Sequence, residues 1–160
     1  MANKPTKPGS REPVIENRRA HHDYTVLETL ECGIKLQGTE VKSVRCGQIS
    51  LTEGFVRSEE EPPSLKLHGV HIAEYPPAGP RQHDPIRTRV LLASKREIRT
   101  LASHARQGGA TLIPLKVYFK NGRAKMLVGL CQGKRRHDKR QEMIRREDRR
   151  DMDRALRRRR

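Results

Sequence analysis

Arginine is concentrated at the C-terminal end of the chain. Residues 134–160 hold 14 Lys and Arg against 6 Asp and Glu, so half of the net charge of +16 lies in 27 residues. The guanidinium group stays charged at every relevant pH, and its planar fork donates two parallel hydrogen bonds to a phosphate. The segment is therefore predicted to contact RNA. The alternative is a solvated charge run that aids solubility.

The charge of the whole chain indicates a polyanionic partner. With 35 Lys and Arg against 19 Asp and Glu, the chain attracts nucleic acid or, alternatively, an anionic membrane surface. No segment has the run of about 20 apolar residues that a membrane span needs. The first residues also lack the apolar stretch of a signal peptide. We therefore expect a cytoplasmic protein without a membrane partner.

Aromatic residues are scarce. The chain has no Trp, two Phe and three Tyr, which gives few platforms of the kind that unspecific single-strand binders use for stacking. Folded RNA, recognised by its shape and its phosphates, is the better match for this composition.

Two carboxylates and several histidines raise the alternatives of catalysis and metal binding. Glu31 and Glu40, with a histidine, are candidates for the acid and base of an RNA-processing enzyme. In a basic protein, however, such acids more often orient Arg or Lys or hydrogen-bond to bases and ribose. The His21-His22-Asp23 and His68-x-x-His71 patterns have no companion ligands that complete a metal site. We expect no reaction, no metal and no cofactor.

The three cysteines do not form a recognisable framework. Cys32, Cys46 and Cys131 are odd in number and widely spaced, without a Cys-x-x-Cys pair. They are predicted to be reduced, small core residues. The stretch from Gly129 to Arg135 is too short between its glycines for a phosphate loop and lacks its Ser or Thr.

Period-two alternation predicts that strands position these side chains. We expect a flexible basic arm over residues 1–15, then a strand ending near Gly33, and a return strand through Ile34 and Leu36. A short helix over residues 39–45, with Thr39 as a possible N-cap, follows. Further strands are predicted over residues 51–57 and 65–72.

The second half of the chain carries sharper signals. Ser94 and Glu97 have the spacing of a capping box, so a helix begins there and ends at Gly108 and Gly109. Asn121-Gly122 separates two alternating runs, residues 115–119 and 124–130, and predicts a tight hairpin.

These elements predict a mainly β protein, an OB-fold-like closed barrel over residues 16–133 with two or three short helices. Residues 134–160 form a basic tail that is expected to be disordered or helical, and disordered or fraying when alone. If helical from residue 138 onward, it would extend roughly 34 Å, with Ile144, Met152 and Leu156 on one narrow stripe.

Motifs along nearly the whole chain, in this order and at this spacing, resemble the SmpB family, the protein partners of tmRNA in bacterial ribosome rescue. The matching residues are Asn17, Ala20, His22 and Tyr24; residues 36–43 (LQGTEVKS) with Arg45 and Gly47; Asp84, Pro85, Arg87 and Arg89 before Leu91 and Leu92; Pro114, Tyr118, Gly122 and Lys125; and Gly133, Lys134, Asp138, Lys139 and Arg140. The chain departs from the family pattern with Cys32 where Ala is usual, Val90 where Lys is common and His137 where Tyr is also common.

The resemblance implies that an OB-type barrel binds the tRNA-like domain of tmRNA and that the tail serves the ribosome. The implied RNA-binding residues are Asn17, His22, Tyr24, Glu31, Gln37, Gly38, Glu40, Lys42, Arg45, Arg87, Arg89, Leu92, Lys125 and Lys134. The implied ribosome-contacting residues are His137, Asp138, Lys139, Arg140, Arg145, Arg146, Arg149 and Arg150.

The same resemblance implies the partners. They are tmRNA, the small-subunit RNA at the decoding centre and in the empty mRNA channel, and, indirectly through tmRNA, alanyl-tRNA synthetase and elongation factor Tu. We expect a monomer. The alternative interpretation is a generic OB-fold ribosomal or single-strand RNA-binding protein.

Overall fold

The computed structural model describes residues 12–158, so most of the predicted N-terminal arm lies outside the described residues. The strands are β1 Ile15–Glu16, β2 Tyr24–Ile34, β3 Ile49–Ser50, β4 Phe55–Glu60, β5 Pro63–His68, β6 His71–Ile72, β7 Arg89–Leu92, β8 Thr111–Lys120 and β9 Arg123–Gly133. The helices are α1 Arg18–Asp23, α2 Gly38–Arg45, α3 Lys95–Gly108 and α4 Arg136–Arg158, with a 3-10 helix at Pro76–Ala78.

Strand pairing makes this a mainly β protein with several short helices, as predicted. One sheet has the order β1-β8-β4-β5-β7-β2-β9, and β9 pairs again with β8, so six strands are linked in a cycle of antiparallel pairs. The β4–β8 link is narrow, with Val56 opposite Leu112. A separate two-stranded sheet joins β3 to β6.

The longest pairings involve the C-terminal hairpin. β8 and β9 turn at Asn121 and Gly122, whose φ angles of 52° and 72° are those of the predicted tight turn. β2 lies along the other edge of β9, from Tyr24 opposite Gly133 to Gly33 opposite Lys125. The predicted hairpin is therefore confirmed, and it forms the side of the sheet that carries several of the candidate residues.

The core fills the space between the strands and α3. Leu65, Leu67, Leu91 and Met126 are among its fully buried side chains. α3 adds Ile98, Leu101 and Ala102 from one face. Its predicted capping box is present, and Gly109 ends the helix with a left-handed backbone at φ 57°.

Two predictions about residues 34–39 are wrong. No return strand follows β2, because the backbone from Lys35 onward leads directly into α2. That helix starts at Gly38 with Gln37 as its N-cap, and Thr39 instead hydrogen-bonds to His83 at 2.9 Å. The alternation of apolar and polar residues could not distinguish this segment from a strand, because Leu36 packs against the core although it lies outside any strand.

The strand predicted over residues 51–57 begins only at Phe55. The bend before it brings Gly54 so close to Val70 that an added Cβ would lie 2.6 Å from its side chain.

The cysteines divide into two environments. Cys32 and Cys131 are buried, and burial raises the pKa of each thiol to about 11, so both stay protonated at neutral pH. Cys46, the C-cap of α2, is exposed, so the prediction that it is a core residue is wrong.

The C-terminal segment is one helix. α4 has 23 residues, so its axis is roughly 35 Å long. Nothing in its sequence, or in the shorter helices of residues 12–158, provides an apolar span for a bilayer.

Candidate RNA-binding surface

The two ends of β2 carry two different groups of candidate residues. Glu31 lies near one end, where Gly33 pairs with Lys125 and with Leu92. Tyr24 lies at the other end, opposite Gly133. Nine strand residues separate Tyr24 from Gly33, which corresponds to roughly 30 Å. We call the first region the α2 surface (Glu31, Gln37, Gly38, Lys42, Arg45, Leu92 and Lys125) and the second the α1 surface (Arg19, His22, Tyr24, Phe55 and Lys134).

Glu31 organises the α2 surface around one carboxylate. It accepts a short hydrogen bond from the Tyr118 hydroxyl and lies 3.5 Å from Lys120 Nζ and 3.8 Å from Lys125 Nζ. The Tyr118 hydrogen bond, helped by the lysines, lowers the pKa of Glu31, and the same bond raises the pKa of Tyr118 to about 12. At neutral pH the Glu31 carboxyl is therefore ionised and the Tyr118 hydroxyl is protonated. The Glu31 carboxylate orients two lysines at the surface.

A groove runs beside these charges. It is lined by Gly33, Ile34, Leu36, Val41, Leu92, Gly122, Arg123, Ala124 and Lys125, with a volume of about 340 Å³. Leu92 is 56 % exposed at its edge. The α2 surface thus combines an apolar groove with flanking cations, which suits contact with the bases and the backbone of a folded RNA.

Helix α2 presents further cations. Lys42 and Arg45 are exposed, and no salt bridge to either occurs among the described residues. The Arg45 guanidinium lies 5.4 Å from the centroid of the Phe119 ring, which attaches α2 to the end of the β8–β9 hairpin. Gly38 has open space around its α-carbon, so its backbone is accessible.

Glu40, Arg87 and Arg89 form a buried triad behind the α2 surface. The Glu40 carboxylate accepts hydrogen bonds from Arg89 Nε at 2.8 Å, from Arg87 through Nε at 2.9 Å and through Nη2, and from the Gln37 backbone N at 2.7 Å. Burial alone would raise the pKa of Glu40, but these donors outweigh it and the pKa is lowered.

The burial of the triad gives Glu40 and Arg89 a supporting role behind the α2 surface. Glu40 and Arg89 are fully buried, and Arg89 also donates to the carbonyl oxygens of Val70 and Pro85. They support the α2 surface and cannot contact RNA directly. Arg87 is a quarter exposed and joins α2 to the end of β2 through the Lys35 carbonyl oxygen, at 3.4 Å.

Asn17 is likewise internal. Its side chain caps α1 by accepting from Ala20 N at 3.1 Å, and its amide donates to the carbonyl oxygens of Leu51 and Pro114 at 3.0 Å each. The resemblance implied that Asn17 belongs to the RNA-binding face or supports it. Its burial shows that it anchors α1, which in turn carries His22.

Lys134 ties the start of the tail to the α1 surface. Its backbone N donates to the Asp23 carbonyl oxygen, and its Nζ donates to the His21 carbonyl oxygen, each at 2.9 Å. His22 is exposed beside it, with Nδ1 3.0 Å from Asp23 Oδ1. Two hydrogen bonds therefore hold Lys134 against α1.

The tail helix presents its charge to solvent. The candidate side chains that can be described there are exposed, namely Asp138, Arg140, Arg145, Arg149 and Arg150. The side chains of His137, Lys139 and Arg146 lie outside the described part. Met143, Ile144, Met152 and Leu156 are also at least half exposed, so the apolar stripe has no covering within residues 12–158.

The sequence did not predict several residues that lie at these surfaces. Arg19, Phe55 and Lys120 carry no motif spacing of their own, and only the fold brings them to the candidate residues. The alternation of residues 55–57 on a strand was the one available signal for Phe55. The histidine patterns gain no further metal-binding side chains, since no group of three or more His, Cys, Asp or Glu that could hold a metal occurs among the side chains that the structure describes.

This arrangement defines a class: a basic, mainly β protein that presents exposed cations at two ends of one strand and along a C-terminal helix, as RNA-binding proteins do. The chain belongs to the SmpB family, whose model, described as "SmpB protein", matches residues 14–158.

Known relatives extend over most of the chain. The "SsrA-binding protein" of Geobacillus sp. (strain WCH70) is 46 % identical over 93 % of this chain and 95 % of its own length. That of Thermosynechococcus vestitus is 49 % identical over 88 % of this chain and 92 % of its own length. A chain in the solved structure "tmRNA-SmpB: a journey to the center of the bacterial ribosome" matches with a TM-score of 0.65 and 48 % identity, covering 80 % of this chain and 92 % of that one.

Proposed function

We propose that the α2 surface binds the tRNA-like domain of tmRNA and that α4 acts on the ribosome. As a member of the SmpB family, the chain is an SsrA-binding protein that binds tmRNA in trans-translation at the ribosome. The proposal adds which part of the chain does what. The observation that carries it is the separation of the α2 surface from the start of α4 by roughly 30 Å along β2.

The cyclic strand pairing supports an OB-type closed barrel as the scaffold. OB folds are small Greek-key barrels whose outer surface and loops bind oligonucleotides. In this chain, the cycle of six paired strands would hold the α2 surface rigid, and the triad of Glu40, Arg87 and Arg89 would fix α2 against it. A rigid surface limits the entropy lost when RNA binds.

The tail acts separately in this proposal. The exposed cations of α4, with His137, Lys139 and Arg146, would contact small-subunit RNA at the decoding centre and in the empty mRNA channel. The helix is about 35 Å long, so its cations could contact phosphates along the channel. The affinity of such contacts falls strongly as the salt concentration rises. Alanyl-tRNA synthetase and elongation factor Tu would be met only through tmRNA, by a monomer in the cytoplasm, where ribosomes are.

The two candidate carboxylates would orient arginines and lysines in this proposal, rather than take part in catalysis. Glu40 is enclosed by its two arginines, and Glu31 is held by Tyr118 and the lysines. Both pKa values are lowered, which is the opposite of what a general acid at neutral pH needs.

A lysine substitution at the α2 surface tests the proposal. Lys125→Gln removes a cation beside the groove, and the loss of a charge-assisted contact is expected to weaken tmRNA binding by about tenfold or more. The measurement is the equilibrium affinity for tmRNA and for an unrelated RNA of equal length.

Lys66→Gln is the matched control. Lys66 is 39 % exposed and paired with Glu59 at 2.7 Å, whereas Lys125 is 30 % exposed and paired with Glu31. Its replacement is expected to change tmRNA affinity less than about twofold, as for a cation outside the contact surface. Equal losses in the two variants, or equal affinity of the parent protein for both RNAs, would contradict the assignment.

A further inference from the structure

The end of strand β8 contacts parts of the α2 surface from both of its faces. Successive side chains of a strand point to opposite faces of the sheet. Tyr118 and Lys120 lie on one face, where both contact the Glu31 carboxylate. Phe119 lies on the other face, where its ring packs against the core and beneath the Arg45 guanidinium. Residues 118–120 therefore connect β8 to β2 on one face and to α2 on the other.

Arg45 is the cation that depends most on such a connection. It is the last residue of α2 and is exposed, and no ion pair to it occurs among the residues that the structure describes. An arginine side chain has several rotatable bonds, so a free one adopts many conformations and loses that freedom when it binds a phosphate. A side chain that is already held in its bound direction loses less.

The Phe119 ring provides a fixed surface for this side chain. The ring is partly buried and packs against the core next to the β8–β9 turn. The Arg45 Cζ lies 5.4 Å from the ring centroid, within the separation of about 6 Å at which a cation is attracted to an aromatic face.

A ring holds a guanidinium differently from a carboxylate. A carboxylate occupies the N–H donors of its partner and offsets its charge, as Glu31 does for Lys120 and Lys125. An aromatic face contacts the flat side of the guanidinium, whereas the N–H donors point outward from its edge. Arg45 therefore keeps its full charge and its donors available to a phosphate while its position is fixed.

We propose that Phe119 is a positioning residue for RNA binding, whose ring holds the Arg45 guanidinium in the direction in which it donates to a phosphate of tmRNA. The proposal rests on the function proposed above for the α2 surface. It goes beyond that function by assigning a role to a residue that does not itself contact RNA. Its consequence is specific: the effect of Phe119 on RNA affinity requires Arg45.

Two substitutions of Phe119 separate the aromatic face from apolar bulk. Phe119→Leu keeps apolar volume against the core but removes the face, so it is expected to weaken tmRNA binding by roughly 2- to 12-fold, as for one side chain that is no longer held. Phe119→Tyr retains the face and is expected to bind tmRNA as the parent protein does. Equal affinities of Phe119→Leu and the parent overturn the proposal, as does a loss in Phe119→Tyr as large as that in Phe119→Leu.

A double-mutant cycle distinguishes positioning from general support of the fold. In the Arg45→Gln background, Phe119→Leu is expected to cause no further loss, because the cation that the ring positions is gone. Lys42→Gln is the matched background, since Lys42 is an exposed cation one turn earlier on the same helix. There, Phe119→Leu is expected to cause its full loss. The same loss in all three backgrounds overturns the proposal, because Phe119 would then support the surface without acting through Arg45.

Nuclear magnetic resonance of the free protein tests the contact without RNA. An aromatic ring beneath the guanidinium shifts the resonances of the Arg45 side-chain protons upfield. The shift is expected in the parent and in Phe119→Tyr, and its absence from the parent overturns the proposal. This measurement on the parent does not depend on the folding of Phe119→Leu. Failure of the parent to prefer tmRNA over an unrelated RNA of equal length overturns the proposed RNA-binding function instead.

Discussion

Glu40 shows how a single buried carboxylate can hold in place the surface that we propose to bind RNA. It lies in α2, whereas its partners Arg87 and Arg89 lie 47 and 49 residues further along the chain. A carboxylate and two guanidiniums leave one net positive charge behind the surface. Burying such groups is favourable only when every one of them is paired. The triad therefore depends on all three members.

Replacing Glu40 by glutamine is the residue-scale prediction. Glu40→Gln keeps the shape but leaves the fully buried Arg89 without its counter-charge, so the free energy of unfolding is expected to fall by about 3–5 kcal/mol. Denaturant unfolding measures the change. Glu53→Gln is the control, because the Arg19–Glu53 pair is exposed and its loss is expected to cost less than about 1 kcal/mol. Similar losses in both variants would contradict the triad.

The pH dependence of unfolding checks the same substitution. A carboxyl whose pKa is lowered in the folded state adds stability above its ordinary pKa of 4.5, and that stability is lost as the pH falls through the lowered value. The difference between the parent and Glu40→Gln is therefore expected to be largest at neutral pH and to shrink below about pH 4.5. A difference that does not vary with pH would mean that the Glu40 charge is not the cause.

The sequence identified these residues but not their positions. Glu40, Arg87 and Arg89 were predicted for the RNA-binding set from family motifs, and the fold places two of them in the interior. A family motif indicates which residues the fold or the function requires. It does not record whether they face solvent, because that depends on contacts between segments far apart in the chain.

Helix α3 illustrates the element scale, where local rules worked well. Ser94 accepts from Glu97 N at 3.2 Å, and Glu97 accepts from Ser94 N at 2.9 Å, as the sequence predicted. The α3 cap and the β8–β9 turn are determined within a few residues, so their sequence signals are reliable. The wrong return strand at residues 34–36 had no such local signal, because its path is set by packing against the core.

Removing the α3 cap gives the element-scale prediction. Ser94→Ala deletes the N-cap acceptor, and the free energy of unfolding is expected to fall by about 1 kcal/mol. Ser103→Ala makes the same chemical change in the middle of the same helix, where alanine is favourable, and is expected to be neutral or slightly stabilising. Thermal unfolding of both variants measures the two effects, and an equal response would show that the cap does not hold α3.

At the scale of the whole molecule, β2 separates two regions for which we propose different partners. The α2 surface lies at one end, and the α1 surface, with the start of α4, lies at the other. Charge alone predicted RNA binding from the sequence but could not divide it between regions. The family resemblance implied that division, and the strand register adds the distance between the two regions along β2.

The tail shows the limit of composition. Its composition left open whether the tail is disordered or helical, and residues 136–158 form a helix. Alternating acids and bases along a helix give local support that composition does not register, as in the Asp151–Arg154 pair three residues apart.

Truncation after Arg135 tests the central claim, that the folded part binds tmRNA and the helical tail acts on the ribosome. The cut keeps Lys134, whose backbone and side chain hold the start of the tail to α1. Two quantities are measured on the same preparation: the affinity for tmRNA, and the transfer of a stalled peptide to alanine-charged tmRNA on ribosomes. The prediction is tmRNA affinity within a few-fold of the full chain and no peptide transfer. Parallel loss of both activities, or peptide transfer without the tail, would contradict it.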